Sequence, residues 1–132
     1  IWQWNCRGIY SNHAELLAQV HQAKDKPNVI CLQETHLPHT KDAPPKLPDY
    51  DTTFVKHRTQ TKKGGGLAIY VHNSTPTITE IDIPTIPNNK DTEFQGITLT
   101  TGSFTLAIYN IYTPPQTTTN TAEILQHIIA PN

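Results

Sequence analysis

The chain has 132 residues, 36% hydrophobic and 16% charged, with ten Lys and Arg against eleven Asp and Glu for a formal charge of −1. Such a length holds one small domain with its own core and excludes two comfortable ones. The near-neutral balance excludes a globally basic nucleic-acid binder, so any pull on an anionic partner must come from a local patch. Apolar runs all fall well short of the roughly 18 residues a membrane span requires, and no membrane contact is expected. The opening residues Ile1-Trp2-Gln3-Trp4 lack the basic start and long apolar stretch of a signal peptide, and methionine is absent throughout. A chain that begins inside a strand pattern reads as an excerpt from a longer polypeptide.

In chain order, Ile1 to Asn5 reads as a short strand that ends on a polar residue. After a turn at Cys6-Arg7-Gly8, Asn12 is placed to cap a helix, with Glu15 three residues on completing a capping-box-like start. Leu16, Leu17, Val20 and Ala23 share one helical face, and Pro27 ends the segment. Val29 to Leu32 is a continuous apolar run of the kind that forms a strand covered on both faces. Strand, helix and strand in this order predict an α/β layered domain. Residues 35 to 49 carry Pro38, Pro44, Pro45 and Pro48 and predict a loop. Strands are expected at Tyr50 to Lys56, Leu67 to Val71, Thr77 to Ile81 and Phe94 to Leu99. A turn at Thr101-Gly102 leads into Phe104 to Tyr109, giving a hairpin. Asn120 or Thr121 can cap a last helix bearing Ile124, Leu125, Ile128 and Ile129. Cys6 and Cys31, near two strand ends, read as buried thiols more readily than as a disulfide.

Three of these strands end in polar residues: Asn5, then Gln33-Glu34, then Asn110 and Tyr112. In layered α/β folds, sites gather where strand ends meet loops. A carboxylate, a carboxamide and a phenol make an oxygen-rich set suited to a hard cation such as Mg²⁺, with Mn²⁺ as an alternative. Glu34 would be the anionic ligand. Asn5 would orient a phosphate oxygen or a metal-bound water, and Tyr112 would donate its hydroxyl to phosphate. The competing readings are ordinary: a strand-end carboxylate paired with a lysine, a turn-forming asparagine, a packed tyrosine. Asn110 divides evenly between hydrogen bonding and a site role. Lys56, His57, Arg58, Lys62 and Lys63 form a basic stretch before Gly64-Gly65-Gly66. It is either a solvated loop or a set of contacts to DNA phosphates. Arg7 and His36 each follow a site motif closely enough to touch phosphate, although such a histidine also serves as a hydrogen-bonding support. The glycine triplet is not a phosphate-binding loop, since the lysine and helix that such a loop needs do not follow.

At these residues a family is recognisable. "WNCRGI" (Trp4 to Ile9), "VICLQETHL" (Val29 to Leu37) and "NIYTPP" (Asn110 to Pro115) resemble, in this order, the endonuclease/exonuclease/phosphatase superfamily. "QETHL" and "GGGLAIYV" (Gly64 to Val71) are most similar to the apurinic-endonuclease-like domain of LINE-type (non-LTR) retrotransposons. The resemblance implies a four-layer α/β sandwich of the DNase I type and Mg²⁺-dependent nicking of DNA. It implies catalytic roles for Asn5, Glu34 and Tyr112, with the cation on Glu34 and Asn5. Arg7 stands where repair enzymes of the group carry an aspartate, and Pro115 where they carry an asparagine. The family's later motifs, which orient the attacking water, are not found: no Gly-Asp, Ser-Asp or Asp-His pair occurs in the sequence.

The reading, then, is that residues 1–132 are the N-terminal part of one such domain, inactive alone. Its expected partners are DNA and the rest of the same polyprotein, including a reverse transcriptase. A nuclear location follows from that function only, with no targeting signal. The rival readings are a phosphatase or RNA exonuclease of the same superfamily, and a non-catalytic remnant that binds nucleic acid or protein.

Overall fold

The structure is a computed structural model that describes residues 1–37, 43–57, 65–82 and 92–113. Its elements are β1 (Trp2–Asn5), α1 (Ile9–Gln22), β2 (Val29–Gln33), β3 (Thr52–Lys56), β4 (Leu67–Val71), β5 (Ile78–Ile81), β6 (Glu93–Thr101) and β7 (Phe104–Tyr112). The predicted last helix lies outside the described residues. The strands build two sheets, ordered β1-β2-β4-β3 and β5-β6-β7. β1 and β2 run parallel, joined through α1, and every other pairing is antiparallel. The fold is mixed α/β with two sheets, as the residue pattern predicts at that level.

β2 and β4 are buried at every position, because both of their faces are covered. On one face Ile30, Leu32, Ala68 and Tyr70 meet Ile9, Leu16 and Val20 of α1, with Trp2 and Trp4 alongside. Full burial of each such side chain of α1 contributes on the order of 2 kcal/mol. On the other face Val29, Cys31, Ile69 and Val71 meet Ile97, Leu99 and Ile108 of the second sheet. Cys6 and Cys31 are free, buried thiols. They belong to the clusters on opposite faces of the first sheet, so they cannot pair.

The helix begins earlier than its sequence suggests. Ile9 is its first residue, and Gly8 is the cap, at φ 105, without a side-chain capping bond. Asn12 sits inside the helix instead, where its Nδ2 donates to the Cys6 carbonyl at 2.6 Å and the Gly8 carbonyl at 3.2 Å. The capping expectation failed because the turn carbonyls offered the carboxamide a better partner than the helix N–H groups.

The layer between the sheets changes character along its length. β6 and β7 are in register with Leu99 opposite Leu106, Ile97 opposite Ile108, Gln95 opposite Asn110 and Glu93 opposite Tyr112. These pairs share one face, and they pass from aliphatic to amide to ionisable. Asn110 is 2% exposed. Its Oδ1 accepts from Gln33 Nε2 at 2.7 Å, and its Nδ2 lies 2.9 Å from Gln95 Oε1, 3.0 Å from the Leu32 carbonyl and 3.3 Å from the Ala68 carbonyl. One side chain therefore bridges β2, β4 and β6.

Two outcomes follow from this packing. Asn110→Leu leaves at least two buried polar partners unsatisfied and is expected to lower stability by about 3 kcal/mol, read from the urea midpoint at unchanged slope. The second concerns alkaline pH. Burial pushes the Cys31 thiol up to about 11, and burial also raises Cys6 and Tyr70. These groups stay protonated in the fold while the unfolded chain ionises. Stability is therefore expected to hold below the ordinary thiol range, near 9, and to fall as pH rises from there toward 11. Denaturation midpoints measured from pH 7 to pH 11 check it.

Candidate metal and phosphate site

Asn5 and Gln33 are direct partners on the parallel strands β1 and β2. Paired residues present side chains to the same side of a sheet, here the side facing β6 and β7. Gln33 spends its amide on Asn110. Asn5, at the uncovered end of β1, is exposed, and its carboxamide has no hydrogen-bond partner among the described residues.

Glu34 is the next residue after β2 and turns away from strand geometry, at φ 52. For a non-glycine residue the left-handed region costs about 1 kcal/mol. Backbone bonds hold it there. Its carbonyl accepts from Gly8 N at 2.8 Å, while Thr35 N donates to the Gly66 carbonyl at 3.1 Å and His36 N to the Gly65 carbonyl at 2.8 Å. The half-buried carboxylate that results accepts a hydrogen bond from the Tyr112 hydroxyl, O to Oε1, at 3.0 Å. Its other oxygen, Oε2, accepts nothing from the described residues. Tyr112 arrives from the second sheet, 78 positions away in sequence.

The turn after β1 supports the same corner. Cys6 N donates to the Gln33 carbonyl at 3.0 Å and Ile9 N to the Thr35 carbonyl at 2.9 Å. The Cys6 thiol donates to the Gln33 and Glu34 carbonyls at 3.4 and 3.6 Å. Burial raises this thiol's affinity for its proton, and the nearby Glu34 charge adds to the effect. It is a donor in the scaffold, not a nucleophile.

The chemistry of this donor set fits a hard cation. Among the described residues neither Glu34 Oε2 nor the Asn5 carboxamide oxygen has a protein donor, and a carboxylate and an amide oxygen are what Mg²⁺ takes. The set is also sparse. Among the described residues no group of three His, Cys, Asp or Glu side chains could hold a metal. One carboxylate with neutral partners binds Mg²⁺ weakly, since the ion surrenders its water reluctantly.

The remaining sequence-predicted residues divide. Arg7 and His36 are exposed beside the site, at φ 49 and φ 55. Lys56 is exposed, yet its ammonium donates to the Phe94 carbonyl at 3.0 Å and lies 5.1 Å from the Phe94 ring centroid. That contact ties β3 to β6 and draws the charge inward. Arg58, Lys62 and Lys63 lie outside the described residues. Asn110 needs correction: it is buried between the sheets with both ends of its carboxamide engaged, so it has no donor to offer a phosphate.

One residue was missed. Glu93, 7% exposed, directs both carboxylate oxygens to Gly66 N at 3.0 Å. A strand expected to start at Phe94 left it in a loop, and nothing local marks it. Only its register opposite Tyr112 places it near the site.

A search of curated proteins gives no match to the chain. The model of the Endonuclease/Exonuclease/phosphatase family matches residues 2–129, and members of that family are typically metal-dependent hydrolases. With almost the whole chain matched, the protein belongs to the endonuclease/exonuclease/phosphatase family.

Proposed function

We propose that this chain carries the metal- and phosphate-binding end of a DNA-nicking endonuclease of the LINE-type retrotransposon group, built on a four-layer DNase I-type sandwich. The observation that carries the reading is the meeting of Glu34 and Tyr112 across the two sheets, beside the carboxamide of Asn5, which has no partner among the described residues. "QETHL" and "GGGLAIYV" support the narrower group.

Glu34 and Asn5 would hold the divalent cation, Mg²⁺ or Mn²⁺. When bound, such an ion supplies positive charge to the scissile phosphate and its leaving oxygen. The rest falls to the chain itself. The Tyr112 hydroxyl has one proton, donated to Glu34 in the free chain; turned from that carboxylate it would donate to a phosphate oxygen, and the Asn5 amide would be a second donor. Arg7 and His36, exposed on the turns that follow β1 and β2, flank the approach and suit phosphate contact. No residue described here activates a water. The chain is therefore expected to bind a cation without cleaving, with the remaining machinery on the same longer polyprotein beside a reverse transcriptase, acting on nuclear DNA.

A non-catalytic remnant that binds nucleic acid or protein is the second reading, favoured because the described residues include no group of three His, Cys, Asp or Glu side chains that could hold a metal. A phosphatase or RNA exonuclease would use the same corner with other loops. Binding of Mn²⁺ to the 132-residue chain, followed by water-proton relaxation, separates the possibilities. Wild type is expected to bind weakly and Glu34→Ala at least tenfold more weakly; equal binding would sink the ligand assignment. In the longer polypeptide, Glu34→Ala is expected to reduce nicking of supercoiled plasmid by roughly 100-fold or more, the loss of a metal's several kcal/mol. Tyr112→Phe should leave Mn²⁺ affinity within about threefold while slowing nicking by about tenfold or more, one charge-stabilising donor's share.

A further inference from the structure

We infer that Glu93 is a positioning residue for the Glu34 site, clamping from the second sheet the backbone that forces Glu34 into its left-handed conformation. The inference rests on the reading of Glu34 as the cation ligand.

Both Glu93 oxygens lie 3.0 Å from Gly66 N, and Glu93 is 7% exposed. A buried carboxylate is costly unless it is well bonded, so the pairing with this amide is unlike a surface contact. Gly66 is in turn at the centre of the lattice that holds Glu34. Its carbonyl accepts from Thr35 N, and the adjoining Gly65 carbonyl accepts from His36 N. Those two amides belong to the residues immediately after Glu34. Gly66 stands at φ 95, and a Cβ there would collide with Thr35 Oγ1. Thr35 itself is wholly buried. The buried Thr35 hydroxyl thus occupies the space a side chain at position 66 would need, so Gly66 is packed directly against Thr35.

The geometry makes the two sheets grip one residue twice. Tyr112 reaches the Glu34 carboxylate directly. Glu93, its partner across β6 and β7, reaches the Glu34 backbone through Gly66. A side chain held at φ 52 by neighbours springs back when they loosen, and a cation ligand displaced by even a small amount loses affinity.

Two variants of the 132-residue chain, both folded by circular dichroism, test the inference: Glu93→Gln, which keeps an acceptor oxygen without charge, and Glu93→Ala, which keeps neither. Mn²⁺ affinity and amide exchange at Gly66, Thr35 and His36 are read in each, with Glu34→Ala as reference. Expected is a tenfold or larger loss of affinity in Glu93→Ala, with faster exchange at all three amides, and rescue to within about threefold of wild type in Glu93→Gln. Equal losses in both variants would mean that only charge matters and would overturn positioning. Wild-type affinity in Glu93→Ala, or weakened binding with unchanged exchange, would overturn it too. Should Glu93→Ala not fold, Glu93→Gln decides: near-wild-type affinity with faster Gly66 exchange supports the clamp, and a tenfold loss with unchanged exchange rejects it. If Glu34→Ala binds Mn²⁺ as well as wild type, the ligand reading fails, whereas loss in Glu34→Ala without loss in Glu93→Ala fails the clamp alone.

Discussion

The bond from Tyr112 to Glu34 spans the two sheets at the one end of their interface where the packing is ionisable instead of aliphatic. The rest of the corner depends on it. Glu34 cannot present a carboxylate toward the second sheet unless its backbone leaves the strand, and it leaves at a conformational cost that only surrounding bonds sustain. Gly8, Gly65 and Gly66 supply those bonds. A rigid frame holding a strained acidic residue is the arrangement that a metal-dependent hydrolase requires, because a ligand fixed before the ion arrives costs less to organise afterwards.

The gradient along the interface explains how a small domain carries such a site. Val29, Cys31, Ile69, Val71, Ile97, Leu99 and Ile108 provide the apolar end, whose burial offsets the polar end. Asn110 lies between them, with Gln33 and Gln95 on either side. A fully bonded amide cluster there fixes the register of β7 against β6 and seats it on β2, since a one-residue slip would turn Asn110 and Tyr112 outward together. The position of the phenol thus depends on the carboxamide two residues before it.

The departures from a repair-type site concern charge. Among the described residues Glu34 is the carboxylate that stands at the corner beside Asn5 and Tyr112, and Arg7 occupies a position where the resembled repair enzymes have an acid. Another acidic residue in the neighbourhood, Glu93, directs both oxygens to a backbone amide. On the proposed reading, affinity for the ion would accordingly be low, and phosphate contacts from Arg7 and His36 would gain importance. Lys56, tied to Phe94, adds stiffness between the sheets.

Sequence alone determined the strands, the helix between β1 and β2, the hairpin of β6 and β7, and the three polar strand ends, because alternation, helical spacing and turn residues are local signals. It also carried the family, through motifs around Asn5, Glu34 and Tyr112. It misjudged the start of α1, where Gly8 and not Asn12 forms the cap, since the competing carbonyls belong to the folded turn. Tertiary structure decided which polar strand-end residues face solvent and which are buried: Asn110 and Tyr112 are two residues apart on one strand face, yet Asn110 is enclosed between the sheets while Tyr112 reaches Glu34. Glu93 was likewise invisible until β6 and β7 were in register. Its partner, Gly66, is 27 residues away, and no pattern in a single chain records a contact that exists only when two sheets close on each other.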